Sequence, residues 1–370
     1  MMPQSRSNSA DEIRLQTGER PQITRSLILK RPAKDLDDVI HALAIETRRL
    51  PPVGPDEILL RAIYLSVDPA QLMWIRMAAP YMGIGAGDPL TTQVVGEIVQ
   101  SRIDGVVPGD LVLVATQMAE YSVVGKDGAS NGAGQGGILS VQKIDQSHGL
   151  SPDLYLSLLS HTGMAASCGI KHVANVQPGQ TVLVSAAAGA TGSVAAQLAK
   201  VHGARVIGIA GGPEKCKLLT EYYGLDGAVD HRGDIGSQLA ALAPEGIEIF
   251  FDNVGGSLLD EVLNHMAFRS RVIICGALSQ YGNDSETAYR FANMSSLLQR
   301  NVQLIPFWLS DYEEHRHEYF AELRKLYQEG RMKVRPPHVL NGLEGVAEGF
   351  SLLMTGGNTG KLMAQVAPLS

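Results

Sequence analysis

The chain has 370 residues and a formal net charge of -7, with no dense basic stripe, which argues against a nucleic-acid or anionic-membrane surface. Hydrophobic residues make up 45% and charged residues 19%, values typical of a globular protein with room for two domains. No apolar run approaches the ~20 residues of a membrane span, and the first residues lack the apolar core of a secretory signal, so a cytoplasmic location is expected. The three cysteines, Cys168, Cys216 and Cys275, are scattered and indicate neither a disulfide framework nor a structural metal site.

The first part of the chain carries short strand patterns and little helix. Residues 1–24 are polar and predict a disordered tail. Turns rich in Pro, Gly and Asp separate four predicted strands, 56–67, 94–99, 110–114 and 121–124. Short strands of this kind favour a partly open β-barrel as the first domain. The glycine-rich stretch 126–137 follows and is expected to be a surface loop that could act as a lid.

From residue 151 onward, helix and strand patterns alternate. The predicted helices are 153–159, 163–170, 214–223, 235–242, 258–266 and 312–328. The predicted strands are 182–184, 205–210, 228–229, 247–251, 271–275 and 302–308, with a last strand at 362–366. Strands that are separated by helices indicate a parallel, doubly wound sheet.

One stretch, 181–200, combines a β-branched strand, a turn of small residues and an alanine-rich helix. Ala187 and Gly189 allow the backbone to turn tightly beside a pyrophosphate, and Gly192 lets the helix pack close to its strand. The free N–H groups at the start of the helix then attract the anion. Because Ala187 replaces the first glycine of this pattern, a tight turn without a ligand is the alternative interpretation.

The residues beyond the second strand indicate which dinucleotide is bound. NAD-specific folds place an acidic side chain about 20 residues after the glycines, where it binds the ribose 2′-hydroxyl. Here that position is Gly211, and Lys215 follows as a charge suited to a 2′-phosphate. His231 and Arg232 could add to the same pocket, although these charges could instead be solvated loop residues. Glu214 is better placed to cap its helix, so NADP(H) is preferred over NAD.

Six ordered motifs point to a known family. They are YLSVDP (64–69), AAAGATGS (186–193), AGGPEKC (210–216), FDNVGG (251–256), ICGALSQY (274–281) and GGNTGK (356–361). Together they resemble the zinc-independent medium-chain reductases, in particular the NADPH-dependent curcumin, prostaglandin and alkenal double-bond reductases. The resemblance implies a GroES-like barrel domain formed by 25–160 and 331–370, with a Rossmann NADP-binding domain, 161–330, inserted between them. It also implies a homodimer joined through the Rossmann sheets.

The residues exclude the zinc branch of the same superfamily. Its catalytic metal needs a Cys and a His-Glu pair in the barrel domain, but the matching stretch here is Val95-Gly96-Glu97 and the first cysteine is Cys168. Without ligands for a Lewis-acid metal, alcohol oxidation is disfavoured and reduction of a double bond conjugated to a carbonyl is the better candidate. In that reaction a hydride adds to the β-carbon and negative charge collects on the carbonyl oxygen. A donor to that oxygen therefore lowers the barrier.

The resemblance places Tyr281 as this donor, and a phenol suits the role because it keeps its proton at neutral pH. A loop tyrosine packed on the surface is the alternative. Residues 188–191 are expected at the pyrophosphate, Lys215 at the 2′-phosphate, and several loops at the nicotinamide half. The predicted cofactor contacts are Ala188, Gly189, Ala190, Thr191, Gly192, Gly212, Lys215, His231, Asn253, Cys275, Gly276, Ala277, Leu278, Phe307, Trp308 and Asn358. Asn253 could instead cap a helix, and Phe307 could belong to the core.

The sequence departs from the resembling reductases on the substrate side. Their VDP turn is followed by Tyr-Met-Arg, whereas Ala70 stands here in place of the tyrosine. An aromatic residue in a helix start is likewise replaced by Ser167. Trp74, Tyr81 and Trp308 could refill the pocket or could be ordinary core residues. A quinone reductase of the same superfamily and a cofactor-binding interaction protein without turnover remain as alternative functions.

Overall fold

The computed structural model describes residues 20–77, 84–128, 140–281 and 287–369. Most of the predicted tail, most of the glycine-rich loop and Tyr81 lie outside these residues. The strands are β1 (Ile23–Leu29), β2 (Leu43–Arg49), β3 (Glu57–Ser66), β4 (Thr91–Ser101), β5 (Leu111–Gln117), β6 (Tyr121–Gly125), β7 (Gln142–Lys143), β8 (Thr181–Val184), β9 (Arg205–Ala210), β10 (Gly227–Asp230), β11 (Ile247–Asp252), β12 (Met266–Ile274), β13 (Gln303–Pro306), β14 (His338–Asn341) and β15 (Leu362–Gln365).

The helices connect and cover these strands. They are α1 (Val39–Ala42), α2 (Pro69–Met77), α3 (Pro152–Ser157), α4 (His161–Ser167), α5 (Ala190–Val201), α6 (Pro213–Lys217), α7 (Ile235–Leu242), α8 (Gly256–Val262), α9 (Met294–Arg300), α10 (Arg316–Gln328) and α11 (Gly345–Thr355). None of the helices in the described ranges has the length and apolar character needed to cross a membrane.

A mixed sheet organises the first part of the chain. Its order is β14-β15-β3-β4-β5-β7, and β6 pairs with the free part of β3. β3, β4 and β5 are antiparallel, and β3 is buried along most of its length because it has neighbours on both sides. β14 and β15 come from the C-terminal region and complete this sheet. This is the GroES-like part of the predicted fold class, which is confirmed.

A second sheet of six parallel strands has the order β10-β9-β8-β11-β12-β13. Its central strands are rich in Val, Ile and Phe and are buried on both faces, as expected for a parallel sheet covered by helices. The predicted doubly wound Rossmann architecture is therefore confirmed. The domain boundaries at 24, 160 and 330 stay a prediction.

One helix was not predicted, and two predicted helices have other bounds. Pro69 opens α2, a position that suits proline since its missing N–H has no helical partner anyway. The helix predicted at 163–170 changes at Cys168 into a π-helical segment, Cys168–Val173. The helix predicted at 258–266 ends early, and Met266 begins β12 by pairing with Ile247.

β8 and β11 are neighbours in the sheet although β9 and β10 lie between them in sequence. The connections from these two strands therefore leave in opposite directions, which opens a crevice at their carboxyl ends. The segment between α11 and β15 reaches this crevice from the barrel, where Gly360 forms a bridge with Gly189. The fold thus brings the C-terminal residues onto the glycine turn.

Candidate active site

The turn after β8 has the shape of a phosphate-binding corner. Ala186 takes a left-handed conformation with φ 48°, and its carbonyl accepts a hydrogen bond from the Gly189 N–H at 2.9 Å. A Cβ at Gly192 would overlap the Ala186 carbonyl, so only glycine lets α5 approach the turn this closely. α5 begins at Ala190 without a side-chain cap, which leaves its first N–H groups to a ligand. The sharp turn lies at Ala186 rather than at Ala187, one residue earlier than the motif suggested.

A buried network holds the two crevice strands together at their ends. The Asp252 carboxylate accepts hydrogen bonds from the Ser185 hydroxyl at 2.8 Å and from the N–H groups of Val254 and Gly255 at 2.9 Å each. Burial raises the pKa of Asp252, against the effect of these hydrogen bonds. Asn253 donates its amide to the Ser185 carbonyl at 2.7 Å. The Asn253 side chain is thus fixed on the crevice wall.

Three basic side chains surround the position where NAD-binding folds carry an acid. A Cβ at Gly211 would lie 2.6 Å from His231 Nε2 and 3.4 Å from Arg232 Nε, so both side chains pack over this glycine. Burial lowers the pKa of Lys215, and the charge of Arg232 adds to the effect. The Asp230 carboxylate is engaged within the protein rather than with a ligand. It accepts hydrogen bonds from the N–H groups of Gly212 at 2.8 Å and Arg232 at 3.0 Å. The arrangement suits a phosphate bound at this corner.

The C-terminal segment covers the same corner from the other side. Lys215 Nζ donates to the carbonyls of Gly356 at 2.7 Å and Asn358 at 2.6 Å. The N–H of Gly360 donates to the Ala188 carbonyl at 2.8 Å. One lysine thus joins the parallel sheet to the barrel across the crevice.

Tyr281 follows a 3₁₀ turn, Leu278–Gln280, beyond the end of β12. Its hydroxyl oxygen accepts the Ala277 N–H at 3.3 Å, and a Cβ at Gly276 would lie 3.1 Å from the same oxygen. The ring packs against the apolar core of the barrel. Tyr281 is therefore not a loosely packed surface residue but part of the contact between the two halves of the protein.

The barrel side of the crevice contains a buried ion pair. Lys361 is 3% exposed and bonds to the Asp68 carboxylate, which also accepts the Ser66 hydroxyl. Burial would raise the pKa of Asp68, but the charge and hydrogen bond of Lys361 outweigh it and the pKa is lowered. His161 lies close enough to feel both charges, and burial lowers its pKa to about 4. Ala70 stands two residues after Asp68, at the start of α2.

These features line one cleft of about 870 Å³. Its walls include the phosphate corner and residues of the basic pocket together with Tyr281, Ala70 and Trp74. The predicted cofactor residues that line it are Ala188, Gly189, Ala190, Thr191, Gly192, Lys215, His231, Asn253, Cys275, Gly276, Leu278 and Asn358. The glycine turn, the uncapped helix and the basic pocket are the features that a dinucleotide with a 2′-phosphate requires.

Other predicted residues do not line the cleft. Gly212 caps α6 with φ 86°, and Ala277 contributes its N–H to Tyr281 rather than a wall. Phe307 packs in the apolar core beside Met164, and Trp308 is 60% exposed. Ser167 is fully buried, and its hydroxyl has no partner in the described part of the chain.

The structure adds residues that the sequence analysis did not single out. Asp68, His161, Thr162, Gln93 and Lys361 all line the cleft. Asp68 belongs to the motif YLSVDP and Lys361 to the motif GGNTGK, so the sequence contained a signal that these two residues could lie at the site. His161 had no such signal, because it belongs to none of the six motifs and lies two residues before the predicted helix 163–170.

The side chains of the described residues do not form a site for a catalytic metal. Within these ranges, no group of three or more His, Cys, Asp or Glu side chains is arranged so that it could hold a metal ion. Burial raises the pKa of the cleft residue Cys275 to about 12, which opposes the thiolate form that a metal would need.

Two family profiles match the chain. One, described as zinc-binding dehydrogenase, matches residues 190–328, and one described as N-terminal domain of oxidoreductase matches residues 25–131. The NADPH-dependent curcumin reductase of Escherichia coli is 30% identical over 85% of this chain and 89% of its own length. The 2-alkenal reductase (NADP(+)-dependent) of Nicotiana tabacum gives the same values.

A solved structure shows the same architecture. CurA from Vibrio vulnificus in complex with NADPH superimposes with a TM-score of 0.81 and 30% identity, over 93% of this chain and 100% of that chain.

Proposed function

Because this chain belongs to the zinc-independent medium-chain dehydrogenases/reductases, we propose that it reduces, with NADPH, the carbon–carbon double bond of an α,β-unsaturated ketone or aldehyde. One observation carries the proposal: Tyr281 lines the same cleft as the phosphate corner and its basic pocket. A dinucleotide extended along it from Lys215 brings its reactive end toward the tyrosine. The names of the relatives point to the same chemistry.

The residues of this chain have separate tasks in the proposed reaction. Residues 188–192 and α5 hold the pyrophosphate, while Lys215, His231 and Arg232 hold the 2′-phosphate. Asn253, Cys275, Gly276 and Leu278 would border the nicotinamide half. Asn358, which was expected there as well, lies beside Lys215 and would border the 2′-phosphate instead. When bound, NADPH supplies the hydride that adds to the β-carbon of the substrate.

Tyr281 stabilises the charge that develops during this step. As the new C–H bond forms, the π electrons move through the conjugated system onto the carbonyl oxygen. A phenol O–H aimed at that oxygen binds the enolate more strongly than the ketone, so it lowers the barrier. The α-carbon then takes a proton from water or from the same hydroxyl, which completes the saturated product.

Anaerobic oxidation of NADPH by the purified protein tests the proposal against a panel of enones, enals, quinones and ketones. The expected result is turnover with enones or enals and a saturated carbonyl product. Turnover with quinones alone would instead identify a quinone reductase. Tight NADPH binding without turnover on the whole panel would favour a cofactor-binding interaction protein.

We further propose that two copies associate through the parallel sheets. β13 is the edge strand of its sheet in the described part of the chain. Large apolar side chains are exposed around this edge, with Phe268 at 67%, Leu298 at 86% and Trp308 at 60%. Pairing of two β13 strands would extend the sheet and cover these side chains.

A cytoplasmic location stays a prediction.

A further inference from the structure

The imidazole of His161 lies on the barrel side of the cleft, and the backbone that carries it is firmly held. The His161 N–H donates to Gln93 Oε1 of β4 at 3.0 Å. The preceding Ser160 hydroxyl donates to the Leu156 carbonyl at 2.7 Å and lies 3.0 Å from the Thr162 hydroxyl. The residue therefore opens α4 at a position fixed by two neighbouring elements.

The ring itself makes no hydrogen bond within the described residues. Asp68 and Lys361 are the groups whose charges act on the His161 ring. They bond to each other, and the Asp68 carboxylate also accepts a hydrogen bond from the Ser66 hydroxyl. Neither Asp68 nor Lys361 therefore needs the His161 imidazole as a hydrogen-bond partner.

Neighbouring polar side chains on this wall are also engaged within the protein. Gln71 accepts the Asp68 N–H at 2.9 Å and donates to the Thr91 carbonyl at 3.0 Å. Gln93 is occupied by the His161 backbone, and the Thr162 hydroxyl donates to the Ser157 carbonyl at 3.3 Å. His161 thus keeps its hydrogen-bonding capacity for a molecule in the cleft.

Burial keeps this imidazole neutral at physiological pH, because it lowers the pKa to about 4. A neutral imidazole offers one N–H donor and one acceptor nitrogen. The ring is half-buried and lines the cleft, so a ligand bound there can supply the hydrogen-bond partner that the protein does not. A neutral histidine can also polarise a carbonyl without giving up its proton.

We propose that His161 donates a hydrogen bond to the carbonyl oxygen of the substrate and shares with Tyr281 the charge that develops there. The inference rests on the reductase function proposed above. Of the two proton sources named above, this arrangement uses water: hydride forms the bond at the β-carbon, the electron pair reaches the oxygen, and water supplies the proton at the α-carbon. Tyr281 and His161 then keep their own protons.

Two substitutions separate the hydrogen bond from the shape of the side chain. His161→Leu removes the donor but keeps apolar volume, and His161→Gln keeps an N–H donor. His41→Leu, at an exposed histidine of α1, is the matched control. The thermal midpoint of each variant checks that it is folded.

The direct readout is the carbonyl ¹³C resonance of labelled benzylacetone, the saturated ketone, bound to the protein with NADP⁺. We expect a downfield position in the wild type, a loss of that shift in His161→Leu and a partial return in His161→Gln. For reduction of benzylideneacetone, kcat should fall roughly tenfold or more in His161→Leu. The Kd of NADPH should change by no more than about twofold in either variant.

An unchanged resonance and an unchanged kcat in folded His161→Leu would overturn the inference. A weakened NADPH complex with an unchanged resonance would overturn it as well, because His161 would then contact the cofactor. If the wild type fails to reduce any enone but His161→Leu still loses the shift, the reductase function fails while the contact to the carbonyl stands.

Discussion

Lys215 Nζ lies 2.6 Å from the backbone oxygen of Asn358, although 143 residues separate them in sequence. The lysine belongs to α6 of the parallel sheet, and Asn358 belongs to the segment that leads into β15 of the barrel. The same ammonium lies beside Arg232, whose charge is one cause of its lowered pKa. A bound 2′-phosphate would therefore meet a lysine that also holds the two sheets together.

Lys215→Ala should weaken NADPH binding by roughly 10–100-fold, because it removes a charge-assisted hydrogen bond to the 2′-phosphate. NADH lacks that phosphate, so its weaker binding should change much less. Fluorescence titration of both nucleotides measures the two constants. Lys217→Ala is the control, since the Lys217 side chain is 63% exposed. Equal losses for NADPH and NADH would assign Lys215 to the contact between the sheets alone.

Gly211→Asp should reverse part of the cofactor preference. The new carboxylate would stand where NAD-binding folds place their acid, and its Cβ would displace His231 from 2.6 Å away. We expect the KM for NADPH to rise at least tenfold, while NADH is used better. Gly211→Ala adds the same Cβ without the charge. If the KM for NADPH rose as much in Gly211→Ala as in Gly211→Asp, the steric clash and not the charge would be responsible.

The local parts of the site could be predicted from the sequence. The strand, glycine turn and helix of 181–200 are contiguous, and the missing acid at Gly211 lies one strand further on. The structure moves the sharp turn to Ala186, because a non-glycine residue takes the left-handed conformation there. Pro69 concealed α2, since proline is typical both of turns and of first helical positions.

Contacts between distant segments could not be predicted. Asp68 and Lys361 are 293 residues apart, and their pairing depends on how β15 completes the first sheet. His161 enters the cleft only because α4 starts beside β4. Trp308 was expected at the nicotinamide, but it follows β13, the edge strand that β12 separates from the crevice between β8 and β11, and its side chain is 60% exposed. Sheet order, rather than distance in sequence, decides which loops meet.

Tyr281→Phe should lower kcat for an enone by roughly tenfold or more, because the oxyanion loses one donor. The KM for NADPH should stay close to the wild-type value. Single-turnover oxidation of bound NADPH measures the chemical step directly. Tyr222→Phe, at an exposed ring outside the cleft, should leave the rate unchanged. A Tyr281→Phe enzyme with the wild-type single-turnover rate would remove the phenol from the mechanism.

Leu298→Glu should break the proposed dimer, because it places a charge at an apolar side chain that is 86% exposed near the sheet edge. Light scattering after size exclusion should give twice the chain mass for the wild type and a monomer for the variant. Val107→Glu, at an exposed apolar residue of the barrel, should stay dimeric. A monomeric wild type would contradict the proposal.

The stability of the protein should depend on His161 between pH 6.5 and about 4. Burial lowers the pKa of this histidine from 6.5 to about 4 in the folded protein. In this window the unfolded chain binds a proton at His161 and the folded chain does not, so the stabilising contribution is complete above pH 6.5 and is lost as the pH falls. His161→Leu lacks the titrating group, and the loss of Tm from pH 8 to pH 5 should be smaller in this variant by about 2–4 °C.

Scanning calorimetry at the two pH values measures this difference. His41→Leu should keep the full wild-type loss, because the His41 side chain is exposed and far from the cleft residues named above. Lys361 lowers the pKa of Asp68 below that of a free carboxyl despite burial, so Asp68 does not contribute within the window. An equal loss of Tm in His161→Leu and in the wild type would mean that His161 is solvated or charged in the folded protein, and the neutral donor proposed for the substrate carbonyl would then be lost.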